Sequence, residues 1–260
     1  MKQGIAIALH GGDHKTGVTM LTQCIAEHLA EHLKDQTVVQ ASLQGNPGGD
    51  YCQASVQSVE GMRSYLEQNV LNCGELLREC KVQERLYLVR GIWRPEQRRL
   101  YHPEVAVYLT EQLRREAAFV VADTRSEAHD GLAVGALGAA DLRCLVLTQQ
   151  GSVIARWERS RGLYRRLRID FSMMIIDRYL PEATYTKEYM AERLGFPPDC
   201  ILTVDDSPYG ARADGEKKSL LKYRDERFRQ GIDRICRRFT EYAGLNYSEE
   251  KRWRWWKNSI

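Results

Sequence analysis

The residues of this chain whose types and spacing could do chemistry lie near its N-terminal end, in Gly12-Asp13-His14-Lys15-Thr16-Gly17-Val18-Thr19. Gly12 and Gly17 stand where the phosphate-loop pattern Gly-x-x-x-x-Gly-Lys-Ser/Thr has its glycines, and Thr19 stands at its Mg2+-coordinating hydroxyl. Backbone N–H groups in such a loop point into a concavity, and the positive end of the following helix dipole adds to them. Val18 occupies the lysine position, so the principal charge of a loop of this kind is gone. That lysine neutralises the β and γ phosphates, and hydrolysis depends on such stabilisation more than binding does. Lys15 lies inside the loop and could replace part of the charge, but its direction is open. The pattern is also compatible with a strand–loop–helix connection that holds no ligand.

The flanking elements suit a cradle. Residues 5–9 read as a buried strand, and Leu21, Ile25, Leu29 and Leu33 form one apolar stripe on the helix after the loop. Further strands are expected at 37–41, 86–90, 118–124, 143–148, 171–177 and 200–204. Helical patterns occupy 56–67, 73–80, 104–116, 131–140, 153–167 and 186–194. A long terminal helix carries Phe228, Ile232, Ile235, Phe239 and Tyr242 on its inward face. Strands that are apolar throughout and alternate with helices imply an α/β fold, with a mostly parallel sheet flanked by helices on both faces. One domain is expected over 1–246, followed by a basic, tryptophan-rich tail at 247–260.

Composition narrows the class. With 43% hydrophobic and 28% charged residues the chain reads as soluble and globular, and a net charge of +3 does not by itself argue for nucleic acid. Nothing approaches eighteen consecutive apolar residues, and the N-terminus lacks a signal-peptide layout. Seven scattered cysteines without a Cys-x-x-Cys pair suit reduced thiols and a cytoplasmic location. His28 and His32 are spaced to chelate a metal, but Leu29 stands where the protease motif has Glu, so exposed helix histidines are expected. Arg156, Arg159, Arg161, Arg165, Arg166 and Arg168 read as a solvated face near Glu158; the competing reading is non-specific DNA binding through phosphates. In the tail, Trp253, Trp256 and Ile260 share a helical face flanked by Lys and Arg. Such a helix could lie on an anionic membrane surface, or fold back on the domain or on a twin subunit.

In its succession of segments the chain resembles the MinD/ParA group of P-loop ATPases over nearly its whole length. Phe119-Val120-Val121-Ala122-Asp123-Thr124 looks like the strand whose Asp reaches Mg2+ through water. Residues 140–149 resemble the strand after that site, and Ile175-Ile176-Asp177-Arg178-Tyr179 stands where the group has Asn-Arg, the Asn reading adenine. Residues 201–211, followed by Gly215, look like the late loop that closes around the base. Leu86-Tyr87-Leu88-Val89-Arg90-Gly91 and Arg94-Pro95-Glu96 most resemble the CpaE/TadZ-like pilus-assembly branch. The resemblance implies ATP or ADP with Mg2+, held by residues 12–19 together with Asp177 and Arg178, with Thr19 and Asp123 at the metal. It also implies a homodimer formed across the nucleotide face, and a partner in a pilus or secretion machine.

Departures from the group are concentrated at charged positions. Its signature lysine is Asp13 here, the Asp-x-Asp before Gln44-Gly45-Asn46 is Gln40-Ala41-Ser42, and Asp177 replaces the adenine-reading Asn. A carboxylate accepts but cannot donate, which changes what it can read on a base. Groups that polarise phosphate or water are typically worth orders of magnitude in rate. The expectation is a nucleotide binder with weak or no hydrolysis. An active, dimerising ATPase that uses Lys15 or Arg125 for the missing charge is the alternative, and a nucleic-acid-associated partition or regulatory protein is a third.

Overall fold

Runs of apolar, often β-branched residues build the strands of the computed structural model, which describes residues 3–44, 51–52 and 54–247. They are Ile5–Gly11 (β1), Val38–Ser42 (β2), Leu86–Val89 (β3), Phe119–Asp123 (β4), Leu142–Leu147 (β5), Met173–Tyr179 (β6) and Ile201–Asp205 (β7). The sheet has seven strands in the order β3-β2-β4-β1-β5-β6-β7, and every pairing is parallel. The strand order reverses at β1, which has β4 on one side and β5 on the other. In open sheets of this kind ligands bind beside the carboxyl ends of strands at such a switch point, and the Gly12–Thr19 loop leaves the carboxyl end of β1.

Period-two alternation divides the strand side chains between two cores. Ala6, Ala8, Val39, Val120 and Leu145 face one way, with Leu109 and Leu113 of Pro103–Glu116 (α4 in chain order), Leu132 of Gly131–Ala139 (α5) and Ile154 of Gly151–Arg166 (α6). Ile7, Leu9, Val121, Val146 and Ile175 face the other way, with Leu21 and Ile25 of Val18–His32 (α1) and with Phe228, Ile232 and Phe239 of Glu226–Ala243 (α9). The remaining helices are Arg63–Glu67 (α2), Cys73–Glu79 (α3), Lys187–Leu194 (α7) and Gly210–Glu216 (α8). Helices therefore cover both faces, as the apolar strands require.

Several elements differ from the sequence expectation. The helix expected over 56–67 forms only at Arg63–Glu67. Upstream of it, Val59 N donates to Arg90 O and Arg90 N donates to Gln57 O, with Ser58 in a parallel bridge to Arg90. The backbone of Arg90, just past β3, needs hydrogen-bond partners, and this segment supplies them in extended form; the edge of β3 itself is met by Cys80 and Val82. Tyr242 is 55% exposed; α9 turns Ala243 inward in its place, because a 3.6-residue period drifts off the assumed spacing over four turns. Pro95–Leu100 is a 3-10 helix where a loop is expected, and α8 has no counterpart in the sequence reading. All seven cysteines are free thiols. Gly45, Asn46 and the tail at 248–260 lie outside the described residues.

Helix α9 begins at Asp225, whose side chain accepts from Phe228 N at 3.1 Å. Asp225→Ala should lower stability by about 1 kcal/mol, the usual worth of an N-cap. A urea melt with an unmoved midpoint would show that this cap contributes nothing.

Candidate functional site

The loop after β1 is pinned at its entry. Gly11 N donates to Arg125 O beyond β4, and Gly12 N donates to Val146 O of β5 at 3.0 Å. A Cβ on Gly12 would lie 2.3 Å from Leu147 Cδ2, so only glycine lets the chain press this closely against β5. Thr16 is buried, and its hydroxyl donates to Asp13 O at 3.1 Å, drawing the loop round on itself. Gly17 then caps α1 in the left-handed region with φ 84°, and no side chain caps the helix. Among the described residues, the backbone N–H groups of Lys15, Gly17, Val18 and Thr19 meet no acceptor, while that of Thr16 closes a turn onto Asp13. Four such donors at the positive end of a helix have the arrangement an anion cradle needs.

Beside the cradle, Asp123 ends β4 and is fully buried. Burial pushes its carboxyl up, opposed by hydrogen bonds from Thr19 and the Arg125 amide and by the Arg125 charge. Arg125 N lies 3.0 Å from Oδ1, and Gln44 Nε2 donates to Oδ2 at 3.2 Å. Sheet register sets Ser42 and Leu9 alongside it. The fold thus brings together Thr19 and Asp123, the two residues expected to serve Mg2+.

The positions that lack lysine are put to other uses. Val18 is 5% exposed and belongs to the core beneath α1. Asp13 pairs with Arg156 of α6, Nε to Oδ1 3.0 Å, and also accepts from His14 N at 2.7 Å. The sequence reading treats Asp13 and Arg156 separately; the packing of α6 joins them. His14 is exposed and meets Ser126 Oγ through Nδ1 at 3.1 Å. Lys15 is exposed, with its backbone in the left-handed region at φ 58°.

Asp177 and Arg178, which the resemblance places at the base, touch the loop itself. A Cβ on Gly17 would fall 2.2 Å from Asp177 Oδ2, so the carboxyl rests directly on the glycine. Burial pushes the Asp177 carboxyl up to about 7; Arg178 opposes this and the charge of Asp206 adds to it. Arg178 reaches back from β6, its Nη2 donating to Lys15 O at 2.6 Å and its Nε lying 3.4 Å from Asp177 Oδ2. Two consecutive residues of β6 therefore strap the cradle. The late loop closes on the same corner through Asp206, with Tyr209 stacked on Tyr223 at 5.3 Å.

His10 is a buried polar group at the root of the loop that sequence reasoning missed. It is fully buried at the end of β1, with Nδ1 2.9 Å from Thr124 Oγ1 and Nε2 2.6 Å from Tyr164 OH. Thr124 donates its own proton to Leu9 O, so Nδ1 carries the ring proton and Nε2 accepts from the phenol. Burial pushes His10 down to about 3, which keeps it neutral. The available signal was a polar ring at the end of an otherwise apolar strand.

Elsewhere, His28 is 2% exposed, which corrects the expectation of two exposed helix histidines; α9 packs over that face of α1. Arg159, Arg165, Arg166 and Arg168 are exposed on and just beyond α6, while Glu158 is bound by Arg193 at 2.8 Å.

Known structures share this architecture. A ParA family ATPase from Chlorobium tepidum matches with TM-score 0.77 at 15% identity, over 90% of this chain and 98% of that one. The MinC:MinD cell division complex of Aquifex aeolicus contains a match with TM-score 0.71 at 17% identity, over 92% and 96%. The septum site-determining protein MinD of Pyrococcus horikoshii, solved with Mg-ADP, matches with TM-score 0.67 at 17% identity, over 93% and 98%. At these identities the likeness establishes the MinD/ParA-type P-loop fold. No protein-family model and no curated protein matches the sequence.

Proposed function

We propose that this chain is a MinD/ParA-like nucleotide-binding protein that holds ATP or ADP with Mg2+, hydrolyses it weakly or not at all, and acts as a positioning or assembly factor. The observation that carries this reading is the set of unmet N–H groups at Lys15, Gly17, Val18 and Thr19, set beside the Thr19–Asp123 pair at the sheet's switch point. Amide donors in that arrangement fit a phosphate chain, and a hydroxyl with a carboxylate fits Mg2+. A bound Mg2+ would neutralise phosphate charge; Thr19 and Asp123 would hold it and the loop amides would orient the phosphates.

Slow turnover follows from what the charged positions have become. Val18 is sealed in the core, and Asp13 presents a carboxylate already occupied by Arg156. Gln40 and Ser42 replace the acidic pair of the group. A pilus or secretion machine is the assembly favoured by the resemblance of residues 86–91 and 94–96 to the CpaE/TadZ-like branch. Dimerisation across the nucleotide face and membrane contact through 251–260 belong to the same reading. No described helix is long and apolar enough to cross a membrane.

Isothermal titration with ATP and Mg2+, run alongside a phosphate-release assay, tests the proposal. Binding without release is expected. Absence of binding defeats it, and sustained release favours the active-ATPase reading, for which Arg125 supplies charge near Asp123. Asp123→Asn should weaken Mg2+-dependent ATP binding by about tenfold, roughly 1.4 kcal/mol. It should also raise the melting temperature, because a buried carboxylate is removed. Equal affinity in the variant would take Asp123 out of the metal site.

A further inference from the structure

At the end of α1 far from the cradle, His28, Glu31 and His32 each bring a ligand-type atom within 4.8 Å of the others. The hydrogen bonds around the two rings decide which nitrogens are free. His28 Nε2 lies 3.2 Å from Asp233 Oδ1 of α9. A carboxylate oxygen only accepts, so Nε2 carries the proton and Nδ1 keeps its lone pair. That Nδ1 is buried and, among the described residues, meets no partner. His32 repeats the logic: its Nδ1 lies 2.9 Å from the His28 carbonyl oxygen, also a pure acceptor, which leaves Nε2 as the lone pair.

A carboxylate or carbonyl that holds one ring nitrogen as N–H and frees the other is the outer support found behind metal-binding histidines. Besides His28, Asp233 is held by two further groups. Tyr247 OH donates to its Oδ1 at 2.8 Å, Arg237 Nε donates to its Oδ2 at 2.8 Å, and Tyr247 stacks on His32 at 5.3 Å and 7°. The three candidate ligands also sit in the last turns of α1, where the exposed carbonyl ends of a helix favour positive charge.

We propose that His28 Nδ1, the Glu31 carboxylate and His32 Nε2 bind one borderline divalent cation of the Zn2+ class, tying the cradle helix α1 to α9 through Asp233. Two imidazoles and one carboxylate suit Zn2+ or Co2+ and leave a coordination position for water, whereas Mg2+ and Ca2+ prefer all-oxygen shells. The two rings lie stacked, their centroids 4.1 Å apart at 30°. The site is separate from the nucleotide cradle and does not rest on it.

The test is titration of the full-length, thiol-reduced chain with Co2+ followed by Zn2+, read by absorption and by melting temperature. One ion per chain is expected, with ligand-field bands and no thiolate charge transfer, and Zn2+ should raise the melting temperature. His32→Gln and Glu31→Gln lie at partly exposed positions that tolerate change, and each should abolish the Zn2+-induced shift. Asp233→Asn should weaken binding about tenfold to a hundredfold and alter the Co2+ spectrum, which a purely structural role would leave unchanged. A thiolate band, wild-type affinity in His32→Gln, or absence of binding would each overturn the proposal.

Discussion

Asp177→Asn should make the protein more stable at pH 8 by up to about 4 kcal/mol, relative to its effect at pH 4. Burial moves this carboxyl from its ordinary 3.8 up to about 7. The folded protein then keeps a proton that the unfolded chain releases. Stability from this group is complete below the unfolded value and drains away as pH rises towards the folded one, at roughly 1.4 kcal/mol per pH unit. Asparagine cannot ionise, so the variant escapes that slope. Other titrating groups are common to both proteins and cancel in the difference. Urea midpoints at several pH values provide the measurement. A wild-type-minus-variant difference that stays constant from pH 4 to 8 would mean that Asp177 titrates normally.

Gly17→Ala should cost about 3 kcal/mol and remove measurable ATP binding, the sum of left-handed strain and a displaced buried carboxyl. Gly17 has φ 84°, and its added methyl would meet Asp177 Oδ2 at 2.2 Å. The strain and the clash can be separated. Asp177→Ala opens the space but leaves the backbone strain, so the double variant should be more stable than the sum of the single changes by about 1 kcal/mol. Strict additivity would show that the two side chains do not touch. Circular dichroism melts of the four proteins, with ATP titrations beside them, distinguish these outcomes.

Much of the fold was legible because the strands are apolar on both faces. A run such as Phe119–Asp123 has few other places to go than the middle of a parallel sheet. The Gly12 and Gly17 spacing likewise announced a tight loop, since each glycine answers a local demand: close approach to Leu147 in one case, positive φ in the other. Other features were illegible for equally physical reasons. The segment at 57–59 became extended because the backbone of Arg90, just past β3, needed partners, and no periodicity in its own residues records that demand. His28 was read as exposed because burial of a helix face depends on which helix packs there, and α9 lies about two hundred residues away in sequence.

The sequence by itself determined the architecture, the two loop glycines, and where the hydroxyl of Thr19 and the carboxylate of Asp123 fall along the chain. These follow from residue type and near-neighbour spacing, which the chain carries directly. Only the tertiary structure decided what the altered residues do instead: Asp13 joined to Arg156, Asp177 and Arg178 strapped over Gly17 and Lys15, and His28 oriented by Asp233. Each of these joins elements that are distant along the chain, and a contact between side chains forms only where packing brings their atoms within hydrogen-bond reach.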